Sequence, residues 1–267
     1  MHQPVIKWSG SKRIQSKELL KLFPDFNQYF EPFLGGGSVL YVINGGNTEI
    51  AGDICKPLID LWNVIKDNPS FLIKEYRKSW ERLQKEGYQV YYEIRDRFNK
   101  DQKPEDLFFL SRTCVNGLIR FNKKGKFNSS LHHNRKGIHP DRAEKIILDW
   151  SEKVKDVKFI YGDYRNTTKN AKSGDFIYLD PPYYHTKGRY FGIIDYEEFI
   201  KYLEDLNKRG IKFALSYDGM RGDKIYLKNL PKHLYKRHVF LNSGNSPFRK
   251  VMDKTSEQVK ESVYLNF

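Results

Sequence analysis

Apolar residues recur along this chain in two rhythms. Short apolar runs closed by polar or glycine-rich turns predict buried strands, and stretches with an apolar residue every three or four positions predict amphipathic helices. A helix pattern runs from about Ile14 to Leu22 and stops before Pro24. Tyr29–Phe33 reads as a strand that enters Leu34-Gly35-Gly36-Gly37-Ser38, after which Val39–Ile43 is expected to open a helix. Thr48–Asp53 reads as a second strand. From about Cys55 to Asp156 the strand–helix alternation breaks, and helix patterns cover Leu58–Ile65, Ser70–Lys85, Tyr88–Asn99 and Pro104–Arg112. Alternation resumes with strands at Val157–Tyr161 and Phe176–Leu179, an amphipathic helix at Tyr196–Arg209 and a strand at Ile211–Tyr217. Two last strands, about His238–Leu241 and Ser262–Asn266, bracket a polar, basic loop from Asn242 to Lys260 and predict an antiparallel hairpin that closes the sheet.

This pattern predicts an α/β fold with a mixed, mainly parallel sheet. The core domain is expected to comprise residues 1–55 and 156–267, interrupted by an inserted, mostly helical domain over 56–155. A length of 267 residues accommodates both.

Charge changes the picture most in the insert. The chain carries 47 Lys and Arg against 33 Asp and Glu, a net charge of +14. Such an excess points to a polyanionic partner, because clustered cations gain affinity by releasing phosphate counterions. Across residues 111–142, Arg112, Arg120, Lys123, Lys124, Lys126, Arg135, Lys136 and Arg142 face only Asp141. Asn122–Asn128 reads as a hairpin tip flanked by Phe121 and Phe127, so the basic hairpin is expected around 112–136, with aromatics and Asn interleaved for base contacts. Cys55 and Cys114 form neither a metal-ligand spacing nor a disulfide framework, which suits a reducing compartment. His132, His133 and His139 lack partners at metal spacing, so no metal is expected. The start of the chain has no signal-peptide core, and no apolar run is long enough to span a membrane.

The candidate chemistry gathers where predicted strands end. Asp180-Pro181-Pro182-Tyr183 follows the run Phe176–Leu179. Proline fixes φ and donates no hydrogen bond, so this turn offers a carboxylate, backbone carbonyls and a flat ring: an acceptor site for a planar substrate that carries an amino group. A strand, a glycine turn and a helix would form the first half of a nucleotide-binding βαβ unit. Gly35 and Gly37 lack the Lys-Ser/Thr of a P-loop and the third spaced glycine of a dinucleotide site, which disfavours a pyrophosphate. Asp53, at the end of the second strand, can accept hydrogen bonds from ribose hydroxyls or cap the following helix. Asp163 either contacts the ligand or caps its turn. Tyr184–Ile194 reads as a flap over the substrate.

Taken in order, these motifs resemble those of the Dam-type (D12 class, alpha-group) DNA adenine-N6 methyltransferases over nearly the whole chain. Lys7-Trp8-Ser9-Gly10-Ser11-Lys12, Glu31–Ser38, Asp53, Gly162-Asp163 and Asp180–Tyr183 follow in that family's sequence, and Arg112, Asn116, Gly117, Arg120 and Asn122 resemble the start of its DNA-reading hairpin. The resemblance implies a Rossmann-like methyltransferase fold, S-adenosylmethionine as cofactor, and methyl transfer to N6 of an adenine flipped out of double-stranded DNA. It implies Asp180, Pro181, Pro182 and Tyr183 as the catalytic set. Trp8, Lys12, Phe33, Gly35, Gly37, Asp53, Asp163 and Asp180 would hold the cofactor. Lys7, Arg112, Asn116, Arg120, Asn122, Lys123, Lys124, Lys126 and Arg135 would contact DNA. Cytosine-N4 enzymes more often carry Ser before P-P-Y, so Asp180 favours adenine. Val115 stands where the family often has an aromatic residue, so the resemblance implies neither a stacking wedge there nor a GATC target. The expected setting is the cytoplasm of a prokaryotic or virus-infected cell. A monomer or weak dimer on DNA is expected, with a cognate restriction endonuclease as partner if the role is restriction–modification.

Overall fold

The computed structural model describes residues 3–43, 49–122, 124–132, 134, 136–182, 194–221, 224–225, 230–245 and 258–267. Within these, the apolar runs become β1 (Tyr29–Glu31), β2 (Ile50–Asp53), β3 (Lys158–Tyr161), β4 (Phe176–Leu179), β5 (Lys212–Arg221), β6 (Lys224–Ile225), β7 (Arg237–Asn245) and β8 (Gln258–Leu265). The helices are α1 (Ser16–Leu20), α2 (Lys56–Asp67), α3 (Pro69–Glu86), α4 (Gln89–Asp101), α5 (Pro104–Thr113), α6 (Pro140–Lys153), α7 (Tyr164–Thr168) and α8 (Tyr196–Lys208).

The sheet runs in the order β3–β2–β1–β4–β5–β8–β7, with β6 paired to the end of β5. Pairings from β3 through β5 are parallel, and β8 lies antiparallel to both β5 and β7. The chain order reverses between β1 and β4, which are direct neighbours. Connections therefore leave these two strands toward opposite sides and open a crevice beyond their carboxyl ends, the usual ligand position in an open α/β sheet.

Strand alternation sorts the core into two layers. Tyr29, Phe176, Tyr178, Val263 and Leu265 face one apolar cluster, and Phe30, Ile177, Leu179, Phe213 and Leu215 face the other. Phe199, Leu203 and Leu206 of α8 cover the second cluster. The first continues without interruption from the sheet through Trp62 of α2 and Trp150 of α6, whose rings lie 5.2 Å apart, into Tyr76, Phe98, Phe108 and Phe127.

Three local expectations are corrected. Val39–Ile43 does not open a helix; it makes a single 3-10 turn, Leu40–Val42, and Ile43 is already extended. Val39, Val42 and Ile43 are β-branched and lose χ1 freedom in a helix. Asp53 is not the cap of α2: Cys55 occupies that position, and Asp53 Oδ1 accepts a hydrogen bond from its amide at 2.9 Å. Helix α6 was not anticipated, although Ala143, Ile146, Ile147 and Trp150 form one buried stripe. Its N-cap is His139, whose ring accepts from the Asp141 amide, and His is not among the usual capping residues.

Candidate active site and nucleic-acid face

Four loops leave the carboxyl ends of β1 to β4, and each brings polar groups to one cavity of about 330 Å³. After β1 the chain turns at Gly35, whose φ of +49° lies in the left-handed region that favours glycine. A Cβ there would stand 2.7 Å from Trp8 Cδ1, so the indole packs directly on the glycine backbone. Trp62 Nε1 donates to the Gly35 carbonyl at 3.1 Å and fixes the turn from beneath. Phe33 meets the rings of Tyr164 and Phe199 at 5.7 and 6.3 Å.

After β2, Asp53 Oδ2 accepts the Gly35 amide at 3.1 Å, so the second loop is tied to the first. Burial pushes the Asp53 carboxyl up to about 6, against the lowering effect of its backbone hydrogen bonds. Ile54 beside it is 45% exposed, unusual for isoleucine, and lines the cavity. After β3, Asp163 caps α7 through the amides of Arg165 and Asn166 and pairs with the Arg165 guanidinium at 2.7 Å. Burial opposes its ionisation, but these hydrogen bonds hold it below the ordinary carboxyl range. Asp163 thus caps its turn and lines the cavity at once.

After β4 comes Asp180. Lys12 Nζ lies 2.6 Å from Asp180 Oδ1 and 2.9 Å from Glu261 Oε1 of β8, and it also donates to the Gly10 carbonyl at 3.3 Å. Burial lifts Asp180 to about 6; the Lys12 ammonium pulls against that rise and Glu261 adds to it. Beneath lies Glu31, only 3% exposed, which accepts from the Tyr29 hydroxyl at 2.8 Å. Burial raises Glu31 to about 8, with a further push from Asp180, so it is mostly protonated at neutral pH.

Of the residues expected from sequence, Trp8, Lys12, Phe33, Gly35, Asp53, Asp163, Asp180, Pro181 and Pro182 all line this one cavity. Gly37 does not. Its φ is +64°, and a Cβ would meet the Trp62 ring at 3.0 Å, so it serves helix-to-sheet packing. Tyr183 and positions 184–193 of the expected flap lie outside the described residues, as do His133 and, on the DNA side, Lys123 and Arg135. Glu31 and Glu261 were missed. The signal for Glu261 was present: in Glu261-Ser262-Val263-Tyr264-Leu265 it holds an inward position where alternation calls for an apolar side chain. Among the described residues, no group of three or more His, Cys, Asp or Glu is placed to hold a metal ion.

The basic segment forms a ribbon with bridges at Cys114–Leu131 and Phe121–Phe127. Asn122 Oδ1 accepts from the amides of Lys124 and Lys126, which holds the tip. Arg120, Lys124 and Lys126 are exposed, as is Asn116, which sits at φ +55° in a 3-10 turn. Two expectations change here. Phe121 and Phe127 are buried, at 8% and 1% exposure, so they anchor the ribbon instead of facing bases. Asn99 clasps Phe127 from both sides, donating to its carbonyl and accepting from its amide. Arg112 is also buried; its guanidinium donates to the Pro4 carbonyl at 2.6 Å, and burial lowers its pKa to about 10. Lys7 packs its aliphatic stem on Gly117, where a Cβ would stand 3.0 Å from Lys7 Cβ.

Known proteins share this arrangement of sequence. The family model described as D12 class N6 adenine-specific DNA methyltransferase matches residues 8–244. The Type II methyltransferase M.MjaIII of Methanocaldococcus jannaschii is 29% identical, with 85% of this chain and 92% of that protein aligned. A DNA adenine methylase of Vibrio cholerae is 33% identical over 67% of this chain and 64% of its own length. The DNA adenine methylase of Escherichia coli is 26% identical, with 92% of this chain and 91% of its own length aligned.

Proposed function

The chain belongs to the D12 class of N6 adenine-specific DNA methyltransferases, and from that premise we propose that it transfers a methyl group from S-adenosylmethionine to N6 of an adenine extruded from double-stranded DNA at a specific site. The observation that carries the reading is the convergence of the glycine turn, Asp53 and Asp180 on one cavity at the reversal point of the sheet.

The residues fit an adenosyl cofactor. The cavity has the volume of a small-molecule site. The missing Cβ at Gly35 lets the Trp8 indole lie flat against the turn as part of the cavity wall, and Asp53, tied to the Gly35 amide, lines the same cavity as an acceptor for ribose hydroxyls. When bound, S-adenosylmethionine supplies an electrophilic methyl group on a sulfonium. The protein's share is placement and charge. Trp8, Gly35 and Asp53 would hold the adenosyl portion, and Asp180 would receive the substrate base.

Adenine N6 is a weak nucleophile because its lone pair is delocalised into the ring, and in a duplex it is out of reach, so the base must leave the stack. Lys12 occupies Asp180 Oδ1. Asp180 Oδ2 and the Pro181 carbonyl accept the two amino hydrogens, which favours a pyramidal nitrogen. The methyl group would pass to N6 as its bond to the sulfonium breaks and the electron pair stays on sulfur, and the proton lost from N6 would go to Asp180 Oδ2 and onward to solvent. Tyr183 stacks on the extruded ring.

On the DNA side, the segment 56–155 acts as the recognition insert, and Asn116, Arg120, Lys124 and Lys126 are its contacts, together with Lys123 and Arg135. Lys7 reaches the same face. Arg112 supports it from within. The protein works in the cytoplasm of a prokaryotic cell or on phage DNA. If its role is restriction–modification, a cognate endonuclease shares its target.

The test is to express the chain in cells without adenine methylation and sequence their DNA by a modification-sensitive method. The expected result is N6-methyladenine at one short motif, and none with Asp180→Asn at equal expression. Methylation by that variant at the parental level refutes the assignment.

A further inference from the structure

Strand β8 has an acidic side chain where its pattern calls for an apolar one. Glu261 shares the inward face of β8 with Val263 and Leu265, both fully buried, and is itself 8% exposed. A carboxylate placed in this way costs stability unless its partners compensate for lost water. Its partners are specific. Glu261 Oε1 lies 2.9 Å from Lys12 Nζ, and Glu261 Oε2 accepts from Gln15 Nε2, at the N-cap of α1.

The backbone is shaped to aim it. β8 pairs with β5 so that Val263 opposes Ser216 while Glu261 opposes Gly219, which leaves one extra residue on β5 between them. Such a bulge kinks the strand pair and redirects side chains, and bulges gather next to active sites. The arrangement brings the penultimate stretch of the chain to the catalytic aspartate through a single ammonium.

We infer that Glu261 is a positioning residue for methyl transfer: it holds Lys12 between two carboxylates and leaves the Asp180–Lys12–Glu261 group with a net negative charge. This role rests on the reading of Asp180 as the residue that receives adenine N6. Methyl transfer moves positive charge onto N6, next to Asp180. With Lys12 paired to Asp180 alone, the group would be neutral and less able to stabilise that charge. A fixed negative charge aimed at a developing positive one acts on the transition state more than on substrate binding. Among the described residues, the other ionisable groups around Asp180 are Tyr178 of β4 and Glu31 of β1; Tyr178 is buried and pairs with the Ser216 hydroxyl at 2.9 Å.

The test compares Glu261→Gln, which keeps the shape and removes the charge, with Glu261→Asp, which keeps the charge. For Glu261→Gln the expected result is a kcat lower by roughly ten- to a hundredfold with KM for DNA little changed. The acid limb of its pH–kcat profile should also move to lower pH, because Glu261 no longer opposes ionisation of Asp180. Glu261→Asp should recover most of kcat and the parental limb. Side-chain ¹³C NMR of labelled aspartates in the free protein, assigned with Asp180→Asn, should show Asp180 titrating at lower pH in Glu261→Gln. A Glu261→Gln protein with parental kcat, or with lowered kcat but an unmoved acid limb and Asp180 titration, overturns the role. A parent enzyme without activity overturns the methyl-transfer reading, and this role with it.

Discussion

The buried acid Glu31 makes stability depend on pH in a calculable way. Its carboxyl titrates near 8 in the folded chain against 4.5 when free. Between these values the folded protein holds a proton that the unfolded chain has released, so stability falls as pH rises through the window. Below 4.5 both states are protonated and the group is neutral in its effect; above 8 the full loss has occurred. Each unit is worth about 1.4 kcal/mol of differential proton binding. From pH 6 to pH 8 the linkage integral gives a loss of about 2 kcal/mol from this one group. For a chain of this size that lowers Tm by roughly 4–8 °C. Glu31→Gln keeps the shape and the acceptor for the Tyr29 hydroxyl but cannot ionise. Urea titrations of parent and variant at pH 6, 7 and 8 separate this group from Asp53 and Asp180, which remain in both proteins. The parent should lose about 2 kcal/mol more than Glu31→Gln across that range. Parallel pH dependences would mean that Glu31 is ionised in the fold and that the charge account beneath Asp180 is wrong.

Four further outcomes follow from the geometry. Asp53 must be ionised to accept from ribose and titrates near 6, so calorimetric affinity for S-adenosylmethionine should fall up to about tenfold per unit below that pH, and Asp53→Asn should bind weakly without that slope. Gly52→Ala places a Cβ 2.9 Å from the Ile160 carbonyl and against Thr167 Oγ1; thermal melting should show a loss of about 1–3 kcal/mol or more. Arg112→Ala should cost about 2–3 kcal/mol of stability and leave the salt dependence of DNA binding unchanged. Lys124→Ala and Lys126→Ala should do the reverse, each reducing the slope of log K against log salt by about 0.9.

The parts of this molecule that sequence made legible are those governed by local chemistry. Gly35, Asp53, Asp163 and Asp180 each stand at the end of an apolar run, and strand ends in a parallel sheet share one edge. Their convergence followed from that rule. What stayed hidden depended on direction or on distant partners. Phe121 and Phe127 looked available to bases because spacing cannot say which side of a two-stranded ribbon faces the core. Arg112 counted as a surface cation until α5 turned it inward to Pro4. Gly37 looked like part of the ligand turn, but its neighbour is Trp62, far along the chain. Glu261 lies 249 positions beyond Lys12 (261 − 12), and the two meet only in the folded chain. Helix α6 hid behind an uncommon cap.

The contact between Lys7 and Gly117 bears on how such enzymes can be recombined. Gly117 sits at φ +64°, and its bare backbone is the seat for the Lys7 stem. The next residue, Trp8, lies on the Gly35 turn, and Lys12 grips Asp180. One short N-terminal strap thus touches the ribbon, the glycine turn and the acidic motif in succession. A ribbon grafted from a relative is therefore not a free-standing cassette. It seats here only if it brings a glycine at this position, or if the strap is exchanged along with it.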